Sequence, residues 1–290
     1  MNKTPYVLYE STPGVWDSRE RLSIHLPSGS GFICYSFGHV VNGKINADSW
    51  RIIESCSRSE DGHRQLTLTD GGEWEMAIRL EGRPDFMGGS NHGNEVAEEI
   101  VFSIDGESFR PSDITGRKPF SELCIYEKTS LFDPSFPSAR VAVHEKNYVF
   151  TDRGLTLTQT VDWLTACDVT CAYMAMLPVI RAKGWNNRLT ITGTDVHPFP
   201  TEYTLSEDGA CPDLKPLPGV LAAEVSSDAG FRASIRPTRL PSFPGGNLFF
   251  ITSSPNRNKL YFMSTNPERK HITAIGERWT SETHYALTLR

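Results

Sequence analysis

A chain of 290 residues with 38% hydrophobic and 22% charged side chains can bury a sizeable core. That excludes wholesale disorder and allows one large all-β domain or two ordinary ones. The formal net charge of −6 argues against a surface built to grip nucleic-acid phosphates, and no apolar run approaches the length needed to cross a membrane.

The opening stretch MNKTPYVLYESTPGVW lacks the apolar run of a signal peptide. The expected location is therefore the cytoplasm, or release without a leader from a virion or by lysis. Residues 1–31 read as an opening segment with short strands at Tyr6–Tyr9 and Leu22–Leu26, interrupted by Pro13, Gly14, Pro27, Gly29 and Gly31. Phe32–Val41 reads as a strand with Tyr35, Phe37 and His39 on one face. Trp50–Ser55 and Arg64–Thr69 follow, joined by the polar turn RSEDGH. Glu73–Leu80 alternates, with Trp74, Met76, Ile78 and Leu80 opposite Glu73, Glu75, Ala77 and Arg79. A glycine-rich break (Gly82, Gly88, Gly89, Gly93) carries Arg83, Asp85, Asn91, His92, Asn94 and Glu95, and Ile100–Asp105 leads away as a strand. Residues 106–138 are polar and proline-rich, with Leu123–Glu127 as their one convincing strand, and are expected to cover one end of a sheet.

From Arg140 the strand signal strengthens. ARVAVHEKNYVF and LTLTQTVDWL alternate on either side of a DRG turn and predict a hairpin. AYMAMLPVI is apolar throughout and predicts a central strand. LTITG, FRASIRP, NLFFITS, KLYFMST and ETHYALTL follow at short spacing. No stretch carries a helical pattern over three turns. The reading is an all-β, antiparallel β-sandwich, jelly-roll-like, in one domain over 1–290, with a concave sheet for a ligand. The six cysteines are scattered, and Cys167 and Cys171 find no second pair to complete a zinc knuckle, so free thiols are expected.

The chemistry concentrates in the glycine loop and the hairpin. His144, Lys146 and Tyr148 share one face of their strand, and Gln159 and Trp163 share a face of its partner. On the strand alone, a solvated outer face explains the first three better than a site does. Joined to His92 and an arginine, they form the set that β-elimination on a uronic-acid sugar requires. A cation neutralises the carboxylate, a base removes the neighbouring proton, and an acid protonates the leaving oxygen. His92 and Tyr148 are the proton-transfer candidates, with His144 and Lys146 assisting. Arg79, Arg83, Asn91 and Glu95 would shape the carboxylate pocket, and Gln159 and Trp163 would contact the sugar. Against Arg79 stands an ordinary ion pair with Glu75 or Glu81. A hydrolase would instead draw its two carboxylates from Asp85, Glu75, Glu95 and Glu99. No cofactor is required; a zinc or calcium ion would use His92, Glu95 and His144.

Two resemblances extend this. GGSNHGNE is similar to the metal-binding signature of the aspartoacylase and zinc carboxypeptidase families, which implies zinc on His92 and Glu95 within an α/β fold. NADSWRI, GEWEMAIRLEGRPDFMGG, HGNE and the IDG turn, over roughly 46–106, resemble modules of bacteriophage tail fibres and tail-spikes and related bacterial proteins. That second resemblance implies a carbohydrate ligand and a polysaccharide lyase or other depolymerase. The expected partner is an acidic polysaccharide or oligosaccharide, with no nucleic acid or membrane, and a homo-oligomer is open. The competing class is a non-catalytic carbohydrate-binding or adhesin module.

Overall fold

The computed structural model describes residues 3–11, 18–70, 73–89, 91–182, 185–193, 200–205, 216–244, 246–254, 256–266 and 268–290. Pro13, Gly14 and Cys211 lie outside them. No α-helix occurs among the described residues; a single 3-10 turn, Pro111–Asp113, interrupts the strands.

The alternating sequence folds into two sheets. The larger runs in space through Thr201–Leu205, Asn187–Gly193, Val220–Ser227, Phe231–Arg239, Arg278–Leu289, Gly154–Trp163, Phe136–Thr151 and Leu123–Asp133. It continues through Glu95–Ile104, Ala47–Arg58, Gly31–Asn42, Ser18–Ser28, Tyr6–Glu10 and Lys118–Pro119. Its pairings are antiparallel except where Ala47 and Asp48 lie parallel to Glu95 and Val96. The smaller sheet is built on Asp168–Ile180, with Arg257–Thr265, Leu248–Ser254 and Leu217–Pro218 on one side and Ala77–Leu80 and His271–Ile272 on the other. Apolar residues of both sheets meet between them: Tyr35, Phe37, Phe150, Leu157 and Tyr285 from the larger, Ala175, Leu177, Phe249, Leu260 and Phe262 from the smaller. Removing such faces from water is the dominant favourable term in folding.

The predicted hairpin forms around the DRG turn, with Thr151 opposite Gly154 and Ala142 opposite Trp163. AYMAMLPVI lies at the centre of the smaller sheet. Two expectations are corrected. Residues 106–138 are not mainly a cover: Leu123–Asp133 is a full strand paired on both sides, and Phe136–Thr151 begins within the stretch read as loop. Exposed proline and polar residues at the start of Phe136–Thr151, and buried polar ones such as Glu127, Thr129 and Asp133 in Leu123–Asp133, masked the alternation. Glu73–Leu80 is a strand only from Ala77, because Glu73 and Glu75 are both buried and held by side-chain partners rather than by a ladder.

Candidate functional site

The hairpin face carrying His144, Lys146 and Tyr148 points between the sheets, and all three are fully buried. The solvated-face alternative therefore fails, and so does direct access for a ligand. They belong to a closed polar network. Glu95 accepts from Arg51 (2.8 Å), Lys146 (2.9 Å) and Thr129 (2.8 Å), and lies 3.0 Å from His144 Nδ1. Lys146 also pairs with Glu127 at 2.6 Å, and Tyr148 donates to Glu75 at 2.7 Å. Burial pushes the Glu95 carboxyl up, but the charges of Lys146 and Arg51 outweigh it and hold the group well below its ordinary range. Burial, reinforced by Glu75, drives the Tyr148 phenol well above its ordinary value, which removes it as a base.

Gln159 is buried in the same network and bridges to the smaller sheet. Trp163 packs edge-on against Trp279 in the core, 5.0 Å between ring centres. Of the carboxylates a hydrolase would use, Glu75 and Glu95 are enclosed, while Asp85 and Glu99 are solvent-accessible. The three metal ligands suggested by sequence do not converge: Glu95 and His144 meet in the interior, whereas His92 sits with Asp85 and Glu73. Among the described residues no three His, Cys, Asp or Glu side chains gather as a metal site would require. Glu95 opens a strand of an all-β structure, not part of the α/β fold implied by the zinc-enzyme resemblance.

Arg83 is held by Asp133 at 2.7 Å and lies over the Phe136 ring. The backbone N–H of Asn91 donates to Glu73 at 3.2 Å. Arg79 reaches a cleft. Its alternative partners are engaged elsewhere, Glu75 by Tyr148 and Glu81 by Lys270, and its guanidinium lies 5.1 Å from the centre of the Phe86 ring.

That cleft, about 670 Å³, opens on the face of the smaller sheet turned away from the core, and Arg79, Tyr173, Phe250, Met263, Asn266 and Glu268 line it. Strand alternation puts these side chains together: Phe249, Leu260 and Phe262 face inward, so Phe250 and Tyr261 face out. Phe250 and Tyr261 stack at 4.6 Å and 3°, and Tyr173 lies 4.8 Å from Tyr261 and 5.6 Å from Phe250. Tyr173 also stacks on Phe86 at 5.6 Å, and Phe86 touches His92 at 4.9 Å.

The contacts then close into a ring. His92 is 3.7 Å from Glu73, Glu73 accepts from Lys259 at 3.0 Å, and Lys259 lies over Tyr261 at 5.2 Å. On its other side, His92 Nδ1 is 2.6 Å from Asp85, and its side chain remains 28% exposed. Burial pushes the Glu73 carboxyl up; Lys259 and His92 more than offset this and hold it below its ordinary range. Gly89 makes room for it. A Cβ there would stand 2.4 Å from Glu73 Oε1, and the backbone has φ of +81°, where L side chains are strained.

Sequence reasoning found the loop, His92 and Arg79 but missed Glu73, Phe86, Tyr173, Phe250, Tyr261 and Lys259. The signal was available in KLYFMST, where Lys259, Tyr261 and Met263 alternate with Leu260 and Phe262.

No protein-family model matches the chain, and no curated protein matches it in sequence. Solved structures do match it in fold. A GH36 alpha-galactosidase from Geobacillus stearothermophilus gives a TM-score of 0.51 at 9% identity, over 92% of this chain and 40% of that one. The galactosidase domain of an alpha-galactosidase–sucrose kinase gives 0.50 at 10% identity, again over 92% and 40%. A galactose mutarotase-like protein from Clostridium acetobutylicum gives 0.50 at 8% identity, over 100% of both chains. The chain thus spans 40% of the length of the two galactosidases and the whole of the mutarotase-like protein. Its fold is a β-sandwich similar to that of the galactose mutarotase-like protein.

Proposed function

We propose that the chain binds a carbohydrate in the cleft on the outer face of the smaller sheet. The observation that carries this reading is the aromatic platform of Tyr173, Phe250 and Tyr261 with Arg79, Asn266 and Glu268 beside it. A sugar ring presents an apolar face to stack on such a platform and hydroxyls at its edge for the polar groups. A concave, largely apolar site with a few placed polar groups is how small ligands are commonly held. The matched structures, galactosidases and a galactose mutarotase-like protein, support the same ligand class. So does the resemblance of residues 46–106 to tail-fibre and tail-spike modules. Arg79 gives a carboxylated sugar a two-point partner, so a uronic-acid ligand belongs within the proposal.

A second reading adds chemistry. His92, flanked by Asp85 and Glu73 and partly exposed, offers a proton-transfer group next to the platform. Interconversion of sugar anomers asks for a base at the anomeric hydroxyl and an acid at the ring oxygen, and β-elimination asks for a base beside a neutralised carboxylate. His144, Lys146 and Tyr148 enter neither scheme, because they are enclosed.

The test is calorimetric titration with galactose, galacturonate and their oligomers, alongside polarimetry for anomer interconversion and ultraviolet absorbance for unsaturated uronides. Tyr173→Ala is expected to weaken binding about tenfold or more, since central aromatic anchors dominate such sites. Binding unchanged in that variant would overturn the proposal. Binding with no optical change under any condition would leave a binding module and dismiss the second reading.

A further inference from the structure

The strand that carries Tyr173 is irregular at that point. Tyr173 pairs with Met263 and Ala175 with Phe262, so Met174 is an extra residue with no partner in Arg257–Thr265. A bulge of this kind leaves one residue outside the ladder and re-aims its neighbours. Because side chains alternate, one residue more or fewer turns the following positions to the other face. The bulge therefore decides whether Tyr173 reaches the cleft while Ala175 and Leu177 reach the core.

The carbonyl freed by the bulge is satisfied from the opposite sheet. Gln159 Nε2 donates to the Met174 carbonyl at 3.1 Å and to Ser281 Oγ at 3.3 Å. Its Oε1 accepts from the Met76 amide at 3.1 Å and lies 3.2 Å from His144 Nε2. The Met76 N–H can only donate and the Met174 C=O can only accept, so these two backbone groups fix the orientation of the amide. Met76 immediately precedes Ala77–Leu80, the strand that brings Arg79 to the cleft. One fully buried side chain thus holds the segments that carry Arg79 and Tyr173 to the site.

We propose that Gln159 is a positioning residue: it clamps the bulge at Met174 and the start of the Arg79 strand, and so sets Tyr173 and Arg79 against a bound sugar. This rests on the reading of the cleft as a sugar site. The sequence pattern placed Gln159 among the sugar contacts; the geometry gives it a role through Tyr173 and Arg79 instead.

The test compares Gln159→Leu, which removes every bond, with Gln159→Glu, whose ionised form keeps the acceptor for Met76 but loses the donor to Met174. Val161→Ala is the control: it is buried on the same strand and belongs to the apolar cluster that includes Met76 and Met174, so it removes packing there without removing a hydrogen bond. Affinity is measured for galactose or galacturonate, whichever the unaltered chain binds, together with the NMR shifts of the Tyr173 ring. Both Gln159 variants are expected to move the Tyr173 resonances and to weaken binding about tenfold or more, as small misplacements of binding groups do. Val161→Ala is expected to lower the melting temperature while leaving affinity within about twofold. Gln159 variants with unshifted Tyr173 resonances and undiminished affinity would overturn the inference, as would an equal loss in Val161→Ala. Should the unaltered chain bind neither sugar, the sugar reading falls by itself, and the Tyr173 shifts still decide whether Gln159 sets that side chain.

Discussion

Glu73 is a carboxylate with almost no water around it, and its charge is matched by Lys259 at 3.0 Å. Removing one partner of a buried pair strands the other, at a cost of about 3–5 kcal/mol. Lys259→Met is therefore expected to lower stability by about that amount in urea titrations, whereas the half-exposed pair of Arg278 and Asp162 would change it by less than about 1 kcal/mol. Gly89→Ala tests the same spot from the backbone. Its Cβ must displace the Glu73 side chain and sit at positive φ, so a loss of about 1–3 kcal/mol is expected. At this scale the sequence was legible in part. His92 stood out as a scarce residue type in a glycine-rich loop, and Arg79 as a cation on the strand that leads into it. Glu73 did not, because a carboxylate on an alternating strand reads as solvated surface until its buried lysine, 186 residues away, is known.

Among the elements, the hairpin of Phe136–Thr151 and Gly154–Trp163 followed directly from alternation and a DRG turn. Its polar face did not, since His144 and Lys146 at alternate positions imitate an outer face when they in fact point inward. Charged groups enter a core only when partners meet them there, and those partners, Glu95, Glu127 and Arg51, lie on three other strands. The bulge at Met174 was equally hidden, because nothing in an apolar run marks an extra residue. The turn itself offers a test. Gly154 has φ of +124°, and a Cβ there would stand 2.4 Å from the Tyr285 carbonyl on the adjacent strand. Gly154→Ala is expected to cost more than about 1 kcal/mol, read as a fall in melting temperature with sugar affinity retained, because the turn is remote from the cleft.

For the molecule as a whole, acid is the expected weakness. His25, stacked on Tyr6 and buried, has its pKa lowered to about 4, first by burial and then by the charges of Arg58 and Arg117. A histidine whose folded pKa lies below its unfolded value of about 6.5 is destabilising once the unfolded chain can take the proton. Stability is thus intact above that value and falls as the pH drops toward 4, by about 3 kcal/mol in all. Glu73, with its folded pKa depressed, acts in the same direction at the lower end of this window. Urea titrations from pH 7 to pH 4 should show this decline, and His25→Phe should flatten its upper part. A last consequence follows from Arg278–Leu289, which lies in the larger sheet between Phe231–Arg239 and Gly154–Trp163. Those two strands are never neighbours, so the sheet stays split into two flanks, each with a raw edge, until residues 278–289 are available to join them. Folding on the ribosome must therefore wait for residues 278–289 to emerge, and the two unpaired edges are where chaperones, or neighbouring nascent copies, would gain their hold.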